Sequence, residues 1–228
     1  MDRKHEELVE KLKDPAFREI YIQKYKDYKV GLVPKILGGI LVLSGNIIYG
    51  RKPSYAKFKA VEVIARIPYQ SWERVSYMFL TAMYGNEKKA VNLTYTSRFA
   101  RVAQDNETMH VVVMTQITKR EGQSGIFRHY LIPLLFSFFY YVVSAILYMV
   151  HRKSALELNY VFESHAYDQY SEFIKEHGEE QKEKQVESKF LEFYGRKCAN
   201  EYELFCSIRD DELIHKNESI RRISVPMA

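Results

Sequence analysis

The chain has 228 residues, with 34 Lys and Arg against 29 Asp and Glu, for a formal charge of +5. That length holds one well-buried domain, and a composition 46 % apolar and 28 % charged excludes intrinsic disorder and a collagen-like repeat. Two cysteines exclude a disulfide framework and Cys-based zinc sites.

In chain order, the first seven residues mix charges of both signs before any apolar run, so they read as neither a secretory signal nor an acidic-poor transit peptide. Residues 30–49 form an apolar helix interrupted by Pro34 and Lys35. Helices are predicted over 54–83, where Pro68 should kink or open the turn, and over 87–119. A helix over 126–150 contains twenty residues, Leu131 to Val150, without one charge, which is long enough to span a bilayer. Basic residues flank it on both sides (Arg128 and His129, then His151, Arg152 and Lys153), so the positive-inside rule assigns no orientation. Helices over 153–177 and 199–221 follow, separated by a run of Lys, Glu and Gln at about 175–189 that reads as a solvated helix end or loop. Turns are expected at Gly50–Pro53, Gly85-Asn86, Gly122–Gly125, Gly178 and Gly195. Nothing calls for a sheet, and the expectation is an all-α single domain over 1–228.

Of seven histidines, only His110 and His215 have a glutamate three residues earlier, Glu107 and Glu212. At that spacing on a helix the two side chains share a face and can grip one metal ion. A ferritin-like four-helix di-iron bundle needs two such motifs and one further glutamate from each of two other helices. Glu62, in Ala60-Val61-Glu62-Val63-Ile64-Ala65, and Glu163, after Tyr160-Val161-Phe162, are carboxylates in apolar surroundings that require a cation if buried. Glu62 precedes Glu107 by 45 residues and Glu163 precedes Glu212 by 49, so the chain contains one unit twice. Four carboxylates and two imidazoles without a thiolate suit iron or manganese, and two divalent irons would neutralise the carboxylates. A membrane crossing at 131–150 would put Glu62, Glu107 and His110 on one side and Glu163, Glu212 and His215 on the other. Both apolar segments are therefore expected to lie on one leaflet, and the protein to be monotopic.

The stretches Val61-Glu62-Val63-Ile64-Ala65-Arg66-Ile67-Pro68-Tyr69, Asn106-Glu107-Thr108-Met109-His110, Glu163-Ser164-His165-Ala166-Tyr167-Asp168-Gln169-Tyr170 and Arg209-Asp210-Asp211-Glu212-Leu213-Ile214-His215 resemble the alternative oxidases, most closely the plastid terminal oxidase branch. The resemblance covers roughly residues 53–220 and implies a membrane-bound di-iron quinol oxidase that reduces oxygen to water without pumping protons. It implies two iron ions held by Glu62, Glu107, His110, Glu163, Glu212 and His215. It makes Tyr170 the tyrosine beside the irons, where four-electron oxygen chemistry has use for an oxidisable phenol. It makes Asn106 and Asp211 a pair that orients the histidines by hydrogen bonds. Lys57 stands where the family usually has an arginine near the quinol pocket, and His165 where mitochondrial members have glutamate. Phe58, Val61 and Phe162 flank Glu62 and Glu163 in sequence and are candidates for the pocket mouth.

The implied partners are quinol (plastoquinol or ubiquinol), O2 and a membrane lipid surface, with a homodimer allowed and no nucleic acid. The expected location is a thylakoid or cytoplasmic membrane, in a prokaryote or phage-infected host given the missing transit peptide. Cys198 and Cys206 match no regulatory cysteine of the family, so no thiol switch is expected. The alternatives are a di-iron quinone-ring hydroxylase of ubiquinone biosynthesis, which uses the same twin motif, and a non-catalytic membrane-associated helical protein whose Glu and His form ion pairs.

Overall fold

A computed structural model describes residues 3–122 and 125–224. The first two residues, the last four and the middle of the turn expected at Gly122–Gly125 lie outside the described residues. The described chain is all helical, with a single isolated bridge between Gln185 and Asn200 and no strand. In order, the helices are α1 (Arg3–Leu12), α2 (Pro15–Gln23), α3 (Leu32–Tyr49), α4 (Tyr55–Met83), α5 (Glu87–Arg120), α6 (Ile132–Lys182), α7 (Lys189–Tyr194) and α8 (Glu201–Ile223).

Local chemistry sets the boundaries of the long helices. Ser54, Asn86 and Asn200 cap α4, α5 and α8, each side-chain oxygen accepting from a backbone N–H three residues on, at 3.3, 3.1 and 3.0 Å. Gly195 ends α7 in the left-handed region at φ +74°, which costs glycine nothing. Pro68 does not break α4, which runs unbroken to Met83. Pro133 cannot donate, and the turn before it, Phe127–Leu131, widens to a π turn in which the Ile132 N–H reaches Phe127 O.

α6 contains the two helices expected over 126–150 and 153–177, joined end to end, with the second running on past 177. It is one element to Lys182 with a break at one residue, His151, whose φ of −149° and ψ of 77° are not helical. Ser154 N–H donates to His151 Nδ1 at 3.3 Å and the Ser154 hydroxyl lies 2.8 Å from the same nitrogen. His151 thus caps the second half of α6 as an N-cap residue does. The helix also continues through Gly178, against which the Tyr202 ring packs.

α4 and α5 form one hairpin, α6 and α8 a second joined through α7, and the hairpins pack along α4 and α6. Two buried apolar layers hold them together. One contains Phe58, Met109, Val113, Tyr170, Phe205 and Ile208; the other contains Tyr69, Trp72, Phe99, Ala103, Tyr148 and Leu156. Each fully buried large side chain contributes roughly 1.5–3 kcal/mol. On every one of the four helices the predicted ligands sit at or near the junction of these layers. α1 and α2, which sequence periodicity did not indicate, close over α8 through Val9, Leu12, Leu213 and Ile214.

α3 lies across α6. Glu157 accepts from the Tyr28 hydroxyl at 2.7 Å and from Gly31 N–H at 3.2 Å, and at the other end the Tyr49 hydroxyl donates to Arg128 O at 2.7 Å. Between these ties α3 exposes Leu32, Val33, Ile36, Ile40, Leu43 and Ile47, and the first half of α6 exposes Leu134, Leu135, Phe138, Phe139, Ile146 and Val150. Both helices are long and apolar enough to cross a membrane, yet only 11 % and 22 % of their most apolar stretches are buried. Those stretches are not the buried core of the bundle.

Candidate metal centre

The fold brings all six predicted ligands together. Glu62 comes from α4, Glu107 and His110 from α5, Glu163 from α6, and Glu212 and His215 from α8, each at most 1 % exposed. Ligand atoms of Glu62, Glu107, His110 and Glu212 all lie within 4.8 Å of one another, and so do those of Glu107, Glu163, Glu212 and His215. Glu107 and Glu212 belong to both groups. The arrangement is two adjacent four-ligand sets sharing two carboxylates, with a Glu and a His terminal on each side.

His110 Nδ1 faces inward, 3.2 Å from Glu62 Oε2, 3.4 Å from Glu212 Oε1 and 3.5 Å from Glu107 Oε2. His215 Nδ1 lies 2.7 Å from Glu107 Oε1 without hydrogen-bond geometry. Both oxygens of Glu107, both of Glu212, Oε2 of Glu163 and both nitrogens of His215 are buried without a hydrogen-bond partner. Orphaned atoms at this density would be strongly destabilising in a folded core. One ligand atom from each of the six residues falls in the two overlapping groups, and a pair of cations would satisfy those atoms, leaving only the outer nitrogen of His215. The donor set, oxygen-rich with two imidazoles, fits iron or manganese.

Electrostatics agree. Burial, reinforced by the charge of Glu107, pushes the Glu62 carboxyl up to about 7 against the pull of His110. Burial and the neighbouring glutamates push Glu163 up and Glu212 well above the carboxylate range. Only Glu107 is held low: burial opposes its charge, but His110 and His215 flank it and prevail. Burial likewise disfavours charge on His110 and His215, yet Glu62 and Glu107 respectively raise them. The protein alone has more negative charge here than its interior tolerates.

Asp211 is the outer anchor. Its Oδ2 lies 2.9 Å from His110 Nε2 and accepts from Asn106 Nδ2 at 3.1 Å, while Oδ1 lies 2.8 Å from His5 Nε2. Arg196 is paired with both oxygens and with Glu6 at 2.9 Å. Burial opposes charge on Asp211, but the Arg196 guanidinium and the two histidines hold it well below the usual carboxylate range. Asp211 therefore fixes His110 with Nδ1 free to face the centre. Of the pair expected to orient the histidines, Asp211 bonds His110 directly and Asn106 bonds Asp211, while His215 Nε2 is bonded by neither.

The Tyr170 hydroxyl donates to Glu62 Oε1, and its ring stacks on Phe58 with centroids 4.1 Å apart. Tyr167 and Tyr160 lie elsewhere: Tyr167 packs with the cluster under α1 and α2, and Tyr160 donates to Tyr25 O at 3.1 Å. Four site residues escape a reading of the sequence: His5, Tyr69, Asn159 and Arg196. Tyr69 alone had a signal, since it follows Glu62 by seven residues as Tyr170 follows Glu163.

The quinol-pocket candidates lie on α4 and α6, in different surroundings. Lys57, 3 % exposed, donates to Asn46 Oδ1 at 3.0 Å, Arg51 O at 2.9 Å and Gln169 Oε1 at 2.7 Å, and burial lowers its pKa. His165 is depressed first by burial and then by the nearby Lys57 charge. Phe58 is inside the core beside Tyr170, Phe162 is buried against Tyr140, and Val61 is half-buried. Of the five, only Lys57 lines the surface cavity of about 470 Å³ between Tyr49, Ser54, Arg128 and His129.

Residues 44–221 match the family model for alternative oxidase. Over 185 residues the chain is 27 % identical to ubiquinol oxidase 4, chloroplastic/chromoplastic, of Arabidopsis thaliana, covering 72 % of this chain and 50 % of that protein. The chain thus spans about half the length of the curated relative it matches. No solved structure matches it. With the family model covering most of the chain and six buried side chains arranged as two overlapping four-ligand sets, the protein belongs to the alternative oxidase family.

Proposed function

We propose that the protein is a di-iron quinol oxidase attached to one face of a membrane, coupling quinol oxidation to the reduction of O2 to water. The observation that carries this reading is the pair of overlapping ligand sets sharing Glu107 and Glu212, with their oxygens unpartnered. Glu62 and His110 would hold one iron, Glu163 and His215 the other, with Glu107 and Glu212 between them. When bound, the iron pair supplies the electron transfer between quinol and O2. The protein's own groups orient and insulate it. Asp211 fixes the His110 ring, the two apolar layers exclude water, and the Tyr170 phenol beside Glu62 can release an electron and a proton together.

The geometry of α6 supports attachment to one leaflet. Ser137 Oγ donates to Val63 O at 3.3 Å, and Ser71 and Ser144 hydroxyls lie 3.0 Å apart. The apolar half of α6 therefore runs along α4 beside Glu62 rather than away from the bundle. Its exposed face and that of α3 fit an interfacial position in which quinol reaches the bundle laterally. The plastid location in the relative's name supports a thylakoid-type membrane.

The test is oxygen uptake by the iron-loaded protein on added quinol, with product analysis. Glu62→Ala and His215→Ala are each expected to lose iron and uptake. Retained iron and near-normal turnover in either would contradict the assignment, and a ring-hydroxylated product would assign the protein as a quinone hydroxylase instead.

A further inference from the structure

The repeated unit extends past the ligands. Tyr69 follows Glu62 by seven residues and Tyr170 follows Glu163 by seven, two helical turns in each case. The hydrogen bonds cross: the Tyr170 hydroxyl donates to Glu62 Oε1, and the Tyr69 hydroxyl donates to Glu163 Oε1 at 2.7 Å. Both tyrosines are fully buried. The two carboxylates are otherwise treated differently. Glu163 Oε1 also accepts from Asn159 Nδ2 at 3.1 Å, and the same amide nitrogen lies 2.8 Å from the Tyr69 hydroxyl and 3.1 Å from Ser219 Oγ. Glu163 Oε2 has no partner at all.

We propose that Tyr69 is a positioning residue for the second metal site. Together with Asn159 it commits Oε1 of Glu163 to hydrogen bonds and leaves Oε2 as the one oxygen presented to an ion. Glu163 then binds through a single oxygen, and a coordination position stays open on that side. The proposal rests on the two-metal reading above. Outer partners of this kind fix ligand orientation, and removing one typically costs about 10–100-fold in metal affinity. With Phe at position 69 the ring is kept and the donor is lost. The carboxylate is then free to turn and chelate through both oxygens, raising the coordination number of that ion alone.

Cobalt(II) titration of the full-length, metal-free chain reads this directly, because its visible bands weaken as coordination number rises. Wild type is expected to load two cobalt ions per chain. Tyr69→Phe is expected to load both, with weaker absorbance for one equivalent and about tenfold or greater loss of affinity for that equivalent. Tyr148→Phe is the control. Tyr148 is buried and stacked on Trp72 at 5.6 Å, and its hydroxyl bonds no carboxylate. It should keep the wild-type spectrum. If Tyr69→Phe fails to fold, judged by its thermal melt, Asn159→Ser removes the other donor to the same oxygen and must shift the spectrum in the same direction. A wild-type spectrum and affinity in the folded variant overturn the role of Tyr69. Wild-type protein that does not bind two cobalt ions overturns the two-metal reading itself.

Discussion

At the scale of single residues, Asp211 shows how the centre is held from outside. It is buried, charged, and shared among His5, His110, Asn106 and Arg196. Arg196→Ala would leave that charge without its main compensation, and breaking such a pair costs about 3–5 kcal/mol; denaturant unfolding of the variant measures it, and a loss under about 1 kcal/mol would show that the pair is replaceable. Tyr170→Phe is expected to load two irons supplied in excess yet lose most quinol oxidation, because the phenol proton is gone while the ring still stacks on Phe58. Tyr167→Phe, whose ring sits in the cluster under α1 and α2, should turn over like wild type; the reverse pattern would place the redox tyrosine one turn earlier. The six ligands were legible because a carboxylate in an apolar helix and a Glu-x-x-His pair each carry their own spacing signal. His5 and Arg196 were not, because their partner Asp211 is 206 and 15 residues away and nothing local marks either one.

At the scale of elements, α3 docks through a glycine. A Cβ at Gly38 would lie 2.6 Å from Val161 Cγ1, and Val161 is two residues from Glu163 on a stiff, β-branched side chain. Gly38→Ala is therefore expected to destabilise the protein by about 1–3 kcal/mol, read as a lowered Tm; an unchanged or raised Tm would mean α3 can lift off α6 freely. The helices of the bundle were readable from capping residues and apolar spacing. The break in α6 was placed close to where it falls, but its cause was not readable, since it depends on His151 accepting from Ser154 rather than on a glycine or proline. α1 and α2 went unpredicted because their order depends on tertiary contact with Leu213 and Ile214, and short helices carry little stability alone.

At the scale of the whole molecule, the two hairpins close a dry centre on one side, and α3 and the first half of α6 present an apolar face on the other. Cysteines introduced singly at the exposed positions Lys11, Gly85, Glu180 and Arg221 should all react with an impermeant maleimide from the same side of sealed vesicles. Labelling of the first two from the side opposite the last two would refute one-leaflet attachment. The measurement that bears most directly on the central claim is a joint count of iron per chain and of quinol oxidised per O2 consumed by the purified protein. Two irons per chain, with two quinols oxidised for each O2 and no oxygen added to the ring, is the predicted result; a folded protein that takes up no iron, or that holds iron but consumes no O2 with quinol, would contradict it.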